Sequence, residues 1–103
     1  MKAKIEVVTQ HGLLKISGRF DIDTVLAFCD ASRKLLAECR SENLVVDMAG
    51  VDYMDSSALG MLLVLQEDAE KRGKTVALTH CTPFIRNILH TAQLDRLFAI
   101  GGV

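Results

Sequence analysis

The stretch over residues 44–65, LVVDMAGVDYMDSSALGMLLVL, constrains the fold more than any other. It opens on the apolar run Leu44-Val45-Val46, broken before Met48 only by Asp47. A strand covered on both faces reads this way, and such strands sit centrally, beside a helical crossover. A polar loop is expected over 47–55. The second apolar run, from Ala58 to Leu65, is too long and too leucine-rich for a strand, so a helix is expected from Ser57. Its first half should be largely buried and its second half amphipathic, with Gly73 as the stop. Asp55-Ser56-Ser57, the one Asp-Ser-Ser of the chain, falls where strand gives way to helix.

The flanking segments supply the partners such a unit needs. Ile5 and Val7 alternate with Lys4 and Glu6, and Leu14 and Ile16 resume the alternation after His11-Gly12. Period two on both sides of a glycine turn predicts a hairpin of strands over 4–10 and 14–20. Val25, Phe28, Cys29, Ser32, Leu35, Leu36 and Cys39 follow the spacing of one helix face. Asp23 is its expected N-cap, with the carboxylate at the positive end of the helix dipole. Residues 75–79, TVALT, read as another buried strand. Thr82-Pro83 then opens a helix, the threonine as cap and the proline at the first position, with Phe84, Ile85, Ile88 and Leu89 on its apolar face. A short edge strand over 97–100 precedes a Gly-Gly-Val tail. The order β-β-α-β-α-β-α-β predicts a small single-domain α/β fold over residues 1–103, a mixed β-sheet with helices packed on it.

Composition narrows the function. Twelve basic against 13 acidic residues give a net charge of -1. Such a balance offers no electrostatic footprint for nucleic acid or for an anionic membrane. Aromatic residues make up 5%, without tryptophan, which argues against base-stacking platforms. Cys29, Cys39 and Cys81 are odd in number, lack CxxC spacing and have apolar neighbours, as free thiols of a reducing cytosol do. The N-terminal residues hold no signal-like apolar core, and no apolar run approaches membrane length. A cytoplasmic protein is expected, monomeric or weakly dimeric.

Catalytic chemistry finds little support in the residues. Ser56 and Ser57 lie outside any G-x-S-x-G elbow, and no spacing sets His11, His80 or His90 as a base. His80-Cys81 has no second pair at ligand spacing, so no metal site is expected. Gly60 stands inside the second helix without a phosphate-loop context, and no cofactor is expected. Because glycine weakens a helix, close packing against the sheet or a partner would account for it. Asp21 and Asp23 read as caps that share an end of the sheet with Ser56. Met48, Met54 and Met61 read as core or rim, although Tyr53 and Met54 are also placed to flank Ser56 as an apolar contact patch. The joint itself has two readings. One is a simple helix cap by Asp55, Ser56 or Ser57. The other is an exposed hydroxyl at a helix N-terminus, where added negative charge is tolerated. Phosphorylation there adds about -1.5 to -2 charges. A partner packed on that surface would meet a new dianion beside Asp52 and Asp55.

Gly18-Arg19-Phe20-Asp21, then Val51-Asp52-Tyr53-Met54-Asp55-Ser56-Ser57-Ala58-Leu59-Gly60, then Arg72-Gly73-Lys74 and Pro83-Phe84-Ile85-Arg86-Asn87-Ile88-Leu89 resemble the STAS domain family. Within that family the chain is similar to the stand-alone bacterial anti-sigma factor antagonists. The resemblance covers nearly the whole chain and is most specific at YMDSSALG. It implies a non-enzymatic binding module. A partner anti-sigma factor with serine kinase activity phosphorylates the serine after the aspartate, which is Ser56 here. A PP2C-type serine phosphatase removes the phosphate. The unphosphorylated form binds the anti-sigma factor and releases the sigma factor. Asp21, Asp23, Tyr53, Met54, Asp55, Ser56, Ser57 and Gly60 form the implied partner surface. Many relatives carry glycine where this chain has Ala58, which should start the helix more firmly and shift partner choice. The alternative is a STAS subunit of a lipid-transport or stress-signalling complex that docks constitutively.

Overall fold

The computed structural model describes residues 4–8 and 11–102. β1 (Lys4–Val8) and β2 (Leu13–Phe20) form the expected antiparallel hairpin, with Ile5 opposite Ile16 and Val7 opposite Leu14. The expected end of β1 at Thr9 and Gln10 lies outside the described residues. Gly12 makes the turn at φ +63°, and a Cβ there would sit 3.0 Å from the Asn43 carbonyl oxygen. The chain then runs through a 3-10 turn (Ile22–Thr24), α1 (Val25–Glu38), β3 (Asn43–Met54) and α2 (Ser56–Lys71). It continues through β4 (Thr75–Cys81), α3 (Pro83–Thr91), a second 3-10 turn (Leu94–Arg96) and β5 (Ala99–Gly102).

The five strands lie in the order β1-β2-β3-β4-β5, antiparallel only at the hairpin. Each step from β2 to β5 passes through a helix. Parallel crossovers of one hand, all stepping the same way, deliver their helices to the same face of the sheet. Burial agrees. Leu14, Ile16, Leu44, Val46, Met48, Val76 and Leu78 point to that face and are buried. Their neighbours Leu13, Lys15, Val45, Asp47, Ala77 and Thr79 point the other way and keep contact with solvent. Phe28, Leu35 and Leu36 of α1, Leu62 and Leu65 of α2, and Ile85 and Leu89 of α3 pack against them in the core. The Phe20 and Phe28 rings, 5.2 Å apart between centroids, join the end of β2 to α1. Met48, Met54 and Met61 are all buried, as are Cys39 and Cys81, while Cys29 is half-buried; all three thiols are free.

The structure corrects several expected boundaries. β3 does not give way to a loop at Asp47 but continues to Met54. Its first half pairs with both β2 and β4; the pairing with β4 ends at Asp47 opposite Thr79. Beyond that point only β2 pairs with it, through two irregularities, as far as Phe20 opposite Met54. A strand with one free edge tolerates polar residues, so Ala49, Gly50 and Asp52 are exposed while Val51 and Met54 pack downward. β4 runs on to Cys81. β5 begins at Ala99 rather than Leu97 and includes Gly101 and Gly102, which were expected in the tail. Thr82 does cap α3, its Oγ1 accepting from the Ile85 N–H at 3.3 Å, with Pro83 in the first turn.

Two measurements test this packing. A Cβ on Gly50 would lie 2.5 Å from Ser17 Cβ on the adjoining strand. Gly50→Ala should therefore destabilise by about 1–3 kcal/mol in urea unfolding; an unchanged midpoint would contradict the close strand approach. Burial pushes the Cys81 thiol from 9.0 up to about 11, opposed in part by Arg86. Above pH 9 the unfolded chain releases this proton while the folded chain holds it. The contribution to stability therefore falls as pH rises from about 9 to about 11. Cys81→Ala should flatten that part of the stability-versus-pH curve.

Candidate functional site

The site forms where β2, β3, the first 3-10 turn and α2 meet. Asp55 organises it. Its extended backbone (φ -117°, ψ -175°) places the side chain at the N-cap of α2. Oδ1 accepts from the Ala58 N–H at 3.1 Å, and Oδ2 accepts from the Ile22 N–H at 3.3 Å. The Asp55 N–H donates to the Phe20 carbonyl at 3.4 Å. One residue thus caps α2 and ties it to the segment leaving β2. Ala58 is fully buried, so its methyl group anchors the first helical turn.

Of the three candidate caps, Asp55 is the one that serves α2. The cap is this carboxylate, and neither Ser56 nor Ser57 supplies it. Ser56 is exposed at the first residue of α2; Ser57 beside it is half-buried. The expected cap of α1 is also corrected. Asp21, not Asp23, does the capping, and it caps the 3-10 turn. Asp21 Oδ1 accepts from the Asp23 N–H at 3.1 Å, and Thr24 Oγ1 accepts from the Asp21 N–H at 3.1 Å. α1 begins only at Val25 and has no side-chain cap. An aspartate followed three residues later by threonine is a capping-box pattern, and this was the signal for Asp21. Asp23 is exposed in the first turn.

Other residues of the expected surface separate into rim and support. Arg19 stacks its guanidinium 4.1 Å from the centre of the Tyr53 ring and reaches Asp21 Oδ2 at 3.4 Å. This arrangement holds Tyr53 at the rim, half-exposed. Met54 is only 4% exposed, so it supports the joint from beneath and offers a partner no contact area. Gly60 has no atom within 4 Å of where a Cβ would stand. Of the two expected reasons for Gly60, close packing against the sheet is therefore absent, and the residue faces outward.

The sequence reading missed an apolar surface beside Ser56. Ile22 is 63% exposed, Leu26 80% and Val64 54%. Ile22 belongs to the first 3-10 turn and Leu26 to the first turn of α1. Between α1 and α2 lies an open groove of about 340 Å³, lined by Val25, Phe28, Cys29, Ser57, Gly60 and Val64 among others. Leu26 falls off the core-facing stripe of α1. A large apolar side chain off that stripe was the available signal. Of the histidines, His80 Nδ1 lies 3.3 Å from Asp47 Oδ1, and His90 Nδ1 lies 2.7 Å from Asp95 Oδ2. The His90 hydrogen bond holds the exposed Asp95 carboxyl below its ordinary range. Among the described residues no three His, Cys, Asp or Glu groups are arranged to hold a metal, and no helix is long and apolar enough to cross a membrane.

Residues 4–100 match the family described as "Mlab, STAS domain", and the chain belongs to the STAS domain family. A STAS-domain containing protein of Pseudomonas aeruginosa (strain UCBPP-PA14) is 38% identical over 92 residues, covering 89% of each chain. The fold is shared with an anti-sigma factor antagonist from Mycobacterium paratuberculosis, at a TM-score of 0.85 and 23% identity, covering 99% of this chain and 87% of that one. It is also shared with the phosphorylated form of the Bacillus cell fate determinant SpoIIAA, at a TM-score of 0.62 and 17% identity, covering 96% and 90%.

The division of labour at the joint is open to measurement. Asp55→Ala should cost about 1–2 kcal/mol of stability, since both its cap and its tie to Ile22 are lost. Ser56→Ala should stay within about 0.5 kcal/mol of the parent. Equal losses in chemical denaturation would show that the serine shares the capping.

Proposed function

We propose that this protein is an anti-sigma factor antagonist whose docking surface is switched by phosphorylation of Ser56. The observation that carries the proposal is the capping of α2 by Asp55, which leaves the Ser56 hydroxyl exposed and spare at a helix N-terminus. A phosphate on that hydroxyl gains from the helix dipole and displaces no hydrogen bond on which the cap depends. The fold accepts the modification at little cost. A partner does not. Its surface would cover Ile22, Leu26, Val64 and the groove between α1 and α2, and it would have to bury about -1.5 to -2 added charges next to Asp55. The unmodified form binds an anti-sigma factor with serine kinase activity and frees the sigma factor. A PP2C-type phosphatase resets the cycle. Asp21, Asp23, Tyr53, Ser57 and Gly60 surround the serine on this surface, and Met54 supports it from below. The module itself needs no catalysis and no cofactor.

A second reading keeps the surface and drops the modification. The exposed side chains of Ile22 and Leu26 can dock without any change at Ser56, as in a constitutive STAS subunit of a lipid-transport or stress-signalling complex.

Incubation with the cognate kinase and ATP should yield one phosphoserine, at position 56, and none in Ser56→Ala. Ser56→Ala should bind the kinase as the parent does, and Ser56→Asp at least about tenfold more weakly, a loss of roughly 1.4 kcal/mol. Equal affinities for the two variants would remove the switch. Co-purification of transporter ATPase subunits with unmodified Ser56 would favour the second reading.

A further inference from the structure

The three helices cover one face of the sheet, and the pattern on the other face is self-complementary. By strand register Val8 lies beside Leu13, Leu13 beside Val45, and Val45 beside Ala77. These four half-buried side chains make an apolar band across β1, β2, β3 and β4. The next row on the same face is Glu6, Lys15, Asp47 and Thr79, again side by side. Charge alternates along it: negative, positive, negative, neutral. Lys15 has no ion pair among the described residues, and Asp47 Oδ1 is engaged by the Ala49 N–H at 3.0 Å and by His80.

We infer that this open face is the interface of a homodimer whose two-fold axis runs parallel to the strands, between β2 and β3. Rotation about that axis lays the face of one copy on the face of the other with the rows in register and their order reversed. Leu13 then meets Val45 of the second copy, Val8 meets Ala77, and Lys15 meets Asp47, each contact occurring twice. A two-fold interface requires one surface to carry both halves of every contact. The Leu13–Val45 and Lys15–Asp47 neighbours do so. Sheets packed face to face align their strands within about 30°, which this axis allows. The occupant is a second copy because the charges match themselves: Lys4 and Lys15 balance Glu6 and Asp47, so a strongly acidic or basic partner finds no complement here. The dimer expected here is a weak one, dissociating at roughly hundreds of micromolar. It lies across the sheet from the groove between α1 and α2, so a dimer leaves the surface beside Ser56 free.

Sedimentation equilibrium of the full chain tests the inference, with circular dichroism to establish that each variant is folded. The parent should shift from monomer to dimer as its concentration rises into the hundreds of micromolar. Lys15→Asp should weaken the dimer at least tenfold, because it sets one carboxylate against another, that of Asp47 in the second copy. Adding Asp47→Lys to it should restore association, because the exchanged pair is again complementary. A parent that stays monomeric throughout overturns the inference, including the case in which a different protein covers this face. So does a Lys15→Asp dimer as tight as the parent, or a double variant no tighter than the single one.

Discussion

The joint at the head of α2 depends on the Asp55 carboxylate, which ties the helix start to the turn leaving β2. One oxygen takes the Ala58 N–H at the start of α2, and the other takes the Ile22 N–H of the turn leaving β2. The backbone of the same residue reaches Phe20 at the end of β2. A carboxylate accepting from backbone N–H groups makes a stronger bond than a hydroxyl would, and at a helix N-terminus the dipole adds to it. The consequence for function is positional. With the strongest local acceptor spent on the fold at residue 55, residue 56 carries a hydroxyl with no structural duty. Under the proposed switch, stability and signalling would be held by adjacent residues and would not compete.

The topology fixes where partners can sit. Because β2, β3, β4 and β5 advance in one direction through crossovers of one hand, all helices fall on one face. The molecule is left with two distinct outer surfaces. One is the outer side of α1 and α2, where Ser56 emerges beside exposed aliphatic side chains. The other is the bare face of the sheet, where an apolar row lies beside a charged one.

Much of this was legible from residue pattern, and the failures have common causes. The hairpin showed because Ile5, Val7, Leu14 and Ile16 alternate strictly on a half-covered strand. The helices showed because Phe28, Leu35, Leu36, Leu62 and Leu65 keep helical spacing. The second half of β3 did not show, since a strand with one free edge needs no apolar run, and Asp52 and Gly50 read locally as loop. Asp21 and Asp23 were confused because both precede the helix. The spacing of Asp21 to Thr24, which closes a capping box, is what tells the two carboxylates apart. The resemblance at YMDSSALG reached Ser56, but neither it nor the helical period revealed that Ile22, Leu26 and Val64 face solvent. Period describes what a helix buries in its own chain and is silent on what it offers to another.

That surface is where the chain breaks its own local rules. Gly60 weakens α2 at a position where a Cβ would meet nothing within 4 Å, so alanine would fit and strengthen the helix. Leu26 exposes most of its side chain at a position where a polar residue would cost the fold nothing. Neither departure is repaid inside the described chain, and departures of that kind gather at functional sites. One lies on α1 and the other on α2, the helix that Ser56 opens. An apolar surface with a bare stretch of helix backbone lets a partner approach closely and exclude water. In such a dry contact the Coulomb cost of a phosphate is at its largest. In the proposed function, the features that would let this surface bind are therefore the ones that would let a single charged group switch it off.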